Sequence, residues 1–213
     1  MLAVCSLSFG HEYNWRLDRL KVSMDKTNPT VPFFYYKDEY PKAAKPYNQS
    51  LYGFKPHLIE EMIDKGFTKI IYLDATMIVN GDLNWFHDAA IPYGGVLAVQ
   101  DDNKLDRFVS NAALAGFGHT REQAKSMHMV GGSFYYFDIT QTKAFNVFAH
   151  WSGAEETGLF GSQKDESEGK LQGHRHDEAC MALALYKHGS KPFTGDTQYN
   201  YSSGSILTKS HFK

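Results

Sequence analysis

The sequence predicts an α/β fold: a doubly wound, mixed but mostly parallel sheet flanked by helices, within one domain spanning 1–213. Three observations carry that expectation. Short apolar runs at Leu2–Ser8, Val31–Tyr36 and Lys69–Leu73 alternate with helical patterns at Tyr13–Asp25 and Leu51–Lys65, the order of a crossover-connected parallel sheet. The run Lys69-Ile70-Ile71-Tyr72-Leu73 ends abruptly in Asp74-Ala75-Thr76, as a buried parallel strand does when it delivers a carboxylate to the carboxyl edge of a sheet. Finally, 213 residues with 42% hydrophobic content can fill one core.

Each element follows from local pattern. Leu2–Ser8 is apolar and is followed by Gly10, which marks a first strand. Trp15, Leu17, Leu20, Val22 and Met24 recur at helical spacing, and Asn28-Pro29 stops that helix. Val31–Tyr36 is β-branched and aromatic, hence a strand, and the polar stretch 37–50 with Pro41 and Pro46 is a loop. Leu51–Lys65 carries Phe54, Leu58, Ile59 and Met62 on one face, with Gly66 as its stop. Val79-Asn80-Gly81-Asp82 signals a turn, and Val96–Gln100 is a strand ending before Asp101-Asp102. The stretch 111–129 reads as helix and loop, and Gly131-Gly132 reads as a turn or a close approach before an aromatic strand, 133–138. Helices are expected at Thr140–Ala154 and Asp177–His188, with a mobile loop at 155–173 between them.

Composition excludes some functions. Net charge is −2, so nothing in it favours tight nucleic-acid binding. The only cysteines, Cys5 and Cys180, sit in apolar patterns and read as two buried free thiols. No apolar stretch reaches the roughly 20 residues that span a bilayer, and the N-terminus lacks a signal-peptide pattern. A cytoplasmic setting is the expectation. Phosphate-loop, dinucleotide-binding, zinc-peptidase and nucleophile-elbow motifs are all missing from the sequence.

Several residues carry candidate chemistry. Asp74 is placed to hold a hard divalent cation, Mg²⁺ or Mn²⁺, against nucleotide phosphates; an aspartate after a strand also caps turns. Thr76 offers a hydroxyl but no charge. His174-Arg175-His176-Asp177-Glu178 opens a late helix. Asp177 there suits an N-cap, and it equally suits a general base or a stabiliser of positive charge. Lys55, beside Pro56, is a candidate phosphate contact. His211 near the end of the sequence is either a solvated residue or a metal ligand folding back onto the site.

Lys55-Pro56, the strand ending in Asp74-Ala75-Thr76, Gly131-Gly132 with its aromatic strand, and His176-Asp177 fall in an order that resembles small bacterial and phage glycosyltransferases of the GT-A fold. The similarity spans nearly the whole chain, and 52–88 and 130–186 match best. The resemblance implies a nucleotide-sugar donor, often UDP-linked, and a hydroxyl acceptor. Lys55, Asp74, Ala75 and Thr76 would meet the donor, with Asp74 and His211 on the metal. Gly131, Gly132, Arg175 and His176 would line the sugar and acceptor pocket, and Asp177 would be the catalytic carboxylate. The acceptor class stays open among glycan, lipid, small molecule and a hydroxylated DNA base. Thr76 stands where the family's motif has its second acid, which makes the metal requirement uncertain. Two rival readings remain: a nucleotidyltransferase, disfavoured because Gly10-His11-Glu12 supplies one glycine and no early lysine, and a non-catalytic nucleotide- or sugar-binding protein.

Overall fold

The computed structural model describes residues 1–161 and 173–194 and the backbone of 206–207. In chain order the elements are β1 (Leu2–Ser8), α1 (Gly10–Thr27), β2 (Phe33–Lys37), α2 (Phe54–Asp64), β3 (Lys69–Leu73), β4 (Ile78–Val79), α3 (Trp85–Ala90), β5 (Val96–Lys104), α4 (Asn111–Phe117), α5 (Arg121–Ala124), β6 (His128–Asp138), α6 (Thr142–Glu156), α7 (His176–Lys187) and β7 (Ile206–Leu207).

Five strands form one sheet in the order β2-β1-β3-β6-β5. β1 pairs in parallel with both β2 and β3, while β6 runs antiparallel to β3 and to β5. Only β6 is therefore reversed, and the sheet is mixed but mostly parallel. β4 and β7 pair in parallel outside it.

The alternation of side chains along each strand builds two cores. Ala3, Cys5, Leu7, Ile70, Tyr72, Tyr135 and Phe137 face α2, α4, α6 and α7. Val4, Ile71, Leu73, Leu97, Phe134 and Tyr136 face α1 and α3. Covering both faces explains why β1, β3 and β6 are nearly continuous in apolar residues. Each buried Leu, Ile or Phe contributes roughly 1.5–3 kcal/mol. α2 stops where expected. Gly66 takes φ +86°, its amide donates to Ile63 O at 2.8 Å, and the Phe67 amide donates to Met62 O at 3.1 Å, closing the last turn with a residue that tolerates left-handed backbone.

Several boundaries differ from the pattern reading. α2 begins at Phe54 rather than Leu51, because Tyr52 adopts φ +60° and breaks the helical path. Gly131-Gly132 are not a turn before a strand; they lie inside β6, which starts at His128. β5 continues through Asp101-Asp102 to Lys104. Of the expected loop 155–173, Glu155 and Glu156 complete α6, and Phe160 is fully buried; 162–172 lie outside the described residues. Asp177 is not the N-cap of α7. Arg175 occupies that position, and Asp177 lies inside the first turn with its side chain directed inward. Cys5 and Cys180 are buried free thiols, as the pattern indicates.

Candidate active site

A cleft of about 910 Å³ opens at the carboxyl ends of β1 and β3. Open α/β sheets bind ligands at this edge. Arg16, Arg19 and Trp15 of α1 line the cleft, together with Tyr40, Tyr47 and Tyr52 from the segment after β2. Asp74, Ala75, Thr76 and Ser133 complete it.

Backbone bonding fixes the Asp74-Ala75-Thr76 turn. The Asp74 amide donates to Ser133 O of the adjacent β6 at 2.9 Å, and Asp74 O accepts the Met77 amide at 2.9 Å. The Tyr72 hydroxyl donates to the Asp74 carboxylate. Burial, then the nearby Asp74 charge, pushes the Tyr72 phenol well up, so it remains a donor. Arg19 Nη2 donates to Thr76 O at 2.8 Å.

Alongside the cleft lies a charged array in the interior. Lys55 Nζ donates to Asp177 Oδ2 at 2.7 Å and to Gly132 O at 2.9 Å. The ammonium also lies 4.9, 5.2 and 5.6 Å from the ring centroids of Tyr52, Tyr72 and Tyr135. Lys55 and Asp177 are each 2% exposed. Burial alone would lower the Lys55 pKa, but the carboxylates of Asp177, Asp74 and Glu178 outweigh it and raise it. The Tyr135 hydroxyl donates to Asp177 Oδ2 at 3.0 Å, and Trp151 Nε1 donates to Asp177 O at 3.0 Å. Glu178 Oε1 accepts the Gly132 amide at 2.9 Å. Its Oε2 meets Arg175 Nε at 2.6 Å, and Arg175 Nη1 reaches Asp101 Oδ2 at 3.2 Å. Burial first, then the Asp177 charge, pushes Glu178 up to about 7. The Gly132 position needs glycine, since a Cβ there would sit 2.9 Å from Glu178 Cγ and from Lys55 Nζ.

Among the described residues, three non-glycine residues take positive φ: Asp38, Tyr52 and His176. All three stand at or beside the cleft. Asp38 accepts the Gly10 amide and Asn14 Nδ2, each at 2.6 Å, between the ends of β1 and β2. The rings of Tyr52 and His176 face one another at 5.9 Å, and His176 Nδ1 bonds Phe160 O at 2.8 Å. Strain of this kind persists where surrounding contacts over-determine the backbone, and it clusters at functional sites.

The residues singled out in the sequence fall into two groups. Asp74, Ala75 and Thr76 line the cleft. Lys55, Gly132 and Asp177 meet one another, and Arg175 joins them through Glu178. His211 lies outside the described residues. Pattern reading named Glu178 within the 174–178 constellation but gave it no role, and it missed Tyr72, Tyr135, Arg16 and Arg19. Glu178 carried a signal, a second acid beside Asp177. The tyrosines carried none, because their rings are indistinguishable from core aromatics until the hydroxyl partners are known.

Asp74 brings one carboxylate and Thr76 one hydroxyl to the place where a GT-A fold implies a divalent cation. Among the described residues no three His, Cys, Asp or Glu side chains converge on a metal position. Among the described residues, one carboxylate, itself accepting from Tyr72, does not alone supply the several oxygen ligands that a hard cation takes, and the other expected ligand, His211, lies outside them.

No family model and no curated sequence matches the chain. Solved structures do share its fold. WbbM, a bifunctional glycosyltransferase, superposes with TM-score 0.54 at 11% identity, over 91% of this chain and 38% of its own. Mouse xyloside xylosyltransferase 1 gives 0.51 at 9%, over 93% and 86%. The glycosyltransferase GlyE of Streptococcus pneumoniae TIGR4 gives 0.51 at 10%, over 98% and 45%. The chain thus spans less than half the length of WbbM and of GlyE. The architecture is the GT-A glycosyltransferase fold; at these identities the likeness is one of fold.

Proposed function

We propose that the chain transfers a sugar from a nucleoside-diphosphate donor, UDP-linked, to a hydroxyl acceptor. The observation that carries this reading is the position of Asp74-Ala75-Thr76, on the floor of an aromatic and cationic cleft at the carboxyl edge of a GT-A sheet. The acceptor oxygen would bond to the anomeric carbon as the bond from that carbon to the diphosphate oxygen breaks. The nucleoside diphosphate would leave and the hydroxyl proton would be released.

Asp74 and the Thr76 hydroxyl would orient the donor. Asp177 has its Oδ2 committed to Lys55 and Tyr135 and is nearly sealed from solvent, which disfavours a role as base and leaves it an electrostatic role from behind the cleft wall. Lys55 would position that carboxylate instead of meeting phosphate directly. Arg175 and Glu178 would hold the Gly131-Gly132 backbone beside the sugar pocket, with His176 at its rim. Two buried free thiols accord with a reducing, cytoplasmic setting. No helix among the described residues is long and apolar enough to cross a membrane.

Calorimetric titration with UDP, GDP and their sugar conjugates, each with and without Mn²⁺, tests the reading. Saturable binding of one nucleotide and its sugar conjugate supports it and names the donor class. Absence of binding to every one of them would leave a shared fold with another ligand.

A further inference from the structure

Arg16 and Arg19 of α1 stand at the cleft beside the Asp74 turn. Among the described residues, the charged side chains lining the cleft are Arg16, Arg19 and Asp74, an excess of positive charge beside a single carboxylate. Arg16 and Arg19 stand three positions apart on α1, on one face of the helix. Arg19 is anchored to the Asp74 turn by its bond to Thr76 O at 2.8 Å, and its buried Nε–H meets no acceptor. Its guanidinium lies 5.2 Å from the Trp15 ring centroid. That of Arg16 lies 5.3 Å from Tyr13 and 5.8 Å from Trp15 and pairs with Glu12 at 2.6 Å. The rings and Glu12 hold two planar cations at the cleft wall.

A diphosphate entering this cleft meets the Asp74 carboxylate. Its charge must be offset for it to stay, and the described residues make no three-ligand metal cluster. Guanidinium groups suit the task, since their planar fork matches phosphate oxygens in pairs. We infer that Arg16 and Arg19 bind the diphosphate of the donor and supply positive charge that offsets it beside the Asp74 carboxylate. The inference rests on the proposed function, because it names the groups that hold the same donor. Arg19 acts on the phosphate next to the Asp74 turn, to which its bond to Thr76 O fixes it, and Arg16 acts one turn nearer the start of the helix.

The test is calorimetry in EDTA with UDP, GDP, ADP and CDP and, in parallel, their nucleosides. Wild-type protein is expected to bind one diphosphate without added metal, with an affinity that falls as salt rises. Arg19→Gln should weaken that diphosphate by roughly tenfold or more, the scale of losing a charge-assisted hydrogen bond. Arg16→Gln should weaken it less, and Arg19→Lys should fall between wild type and Arg19→Gln. Nucleoside binding should be unchanged throughout, whereas a purely structural role would weaken nucleoside and diphosphate alike. Equal diphosphate affinity in wild type and Arg16→Gln/Arg19→Gln would overturn the inference and leave the donor reading standing. Binding only when Mn²⁺ is added would overturn it as well. Failure of the wild type to bind any diphosphate, with or without Mn²⁺, would remove both.

Discussion

Lys55 and Asp177, 122 positions apart in sequence, meet at 2.7 Å in the interior, each nearly sealed from solvent. The pair joins α2 to the first turn of α7 across the sheet strand that carries Gly132 and Tyr135. Removing one partner from such a pair leaves an uncompensated buried charge, a loss of about 3–5 kcal/mol. Lys55→Met and Asp177→Asn should each destabilise on that scale in urea unfolding. The double variant should lose less than the sum of the two, because each single change already strands the other group. Additive losses would show that the two side chains do not depend on one another.

Gly132 sits where Glu178 and Lys55 converge, and a methyl group there would press on both at 2.9 Å. Gly132→Ala is therefore expected to cost roughly 1–3 kcal/mol by overpacking, despite the ordinary gain from replacing glycine in a strand. Thermal unfolding reads this directly. A variant as stable as wild type would mean that the Lys55 ammonium and the Glu178 carboxylate can shift without loss.

His174 ties 173–175 to its neighbours as a neutral ring. Nε2 donates to Leu159 O at 2.8 Å, and Nδ1 accepts the Ser110 amide at 3.2 Å. Burial, with help from His176, pulls its pKa down to about 4 from 6.5, against the hydrogen bond to Leu159 O. Between those values the unfolded chain binds a proton that the folded one does not, so stability falls as pH drops through this window. The loss reaches roughly 3 kcal/mol near pH 4. Comparing wild type with His174→Gln from pH 7 to 4 isolates the effect: the difference in stability should shrink with acid. A constant difference would contradict the account.

Glu178 has the opposite sign. Its pKa is pushed up from 4.5 to about 7, chiefly by burial and then by Asp177. In that interval the folded state holds a proton that the unfolded state has lost, so stability declines as pH rises from about 4.5 to 7 and is level above. Glu178→Gln cannot titrate, and it should gain on wild type across the interval by on the order of 1 kcal/mol or more. Its loss of the Arg175 ion pair is a separate offset. Melting temperatures of the two proteins at pH 5 and pH 8 check the slope.

The sheet was legible because its strands are apolar on both faces and its crossovers are helical; Leu2–Ser8 and Lys69–Leu73 match to the residue. Asp74 was legible because a carboxylate directly after a buried apolar run is conspicuous. Gly131-Gly132 were misplaced because a glycine pair inside a strand looks like a turn, and the close approach of Lys55 and Glu178 that requires Gly132 comes from residues far away in sequence. The direction of Asp177 was equally hidden. Its position suits a cap, and only the burial of Lys55 opposite explains why it points inward. Nothing in the sequence pattern of α1 singles out Arg16 and Arg19 until the Asp74 turn is placed beside them.

Sugar transfer by this chain is measured by following release of the nucleoside diphosphate from a panel of nucleotide sugars, with wild type and Asp74→Asn side by side. Wild type is expected to turn over one donor, faster with a hydroxyl acceptor present, and Asp74→Asn to lose at least about tenfold, the scale of removing a group that acts on bound donor. Turnover undiminished in Asp74→Asn, or no release from any donor by a protein that is folded, would contradict it.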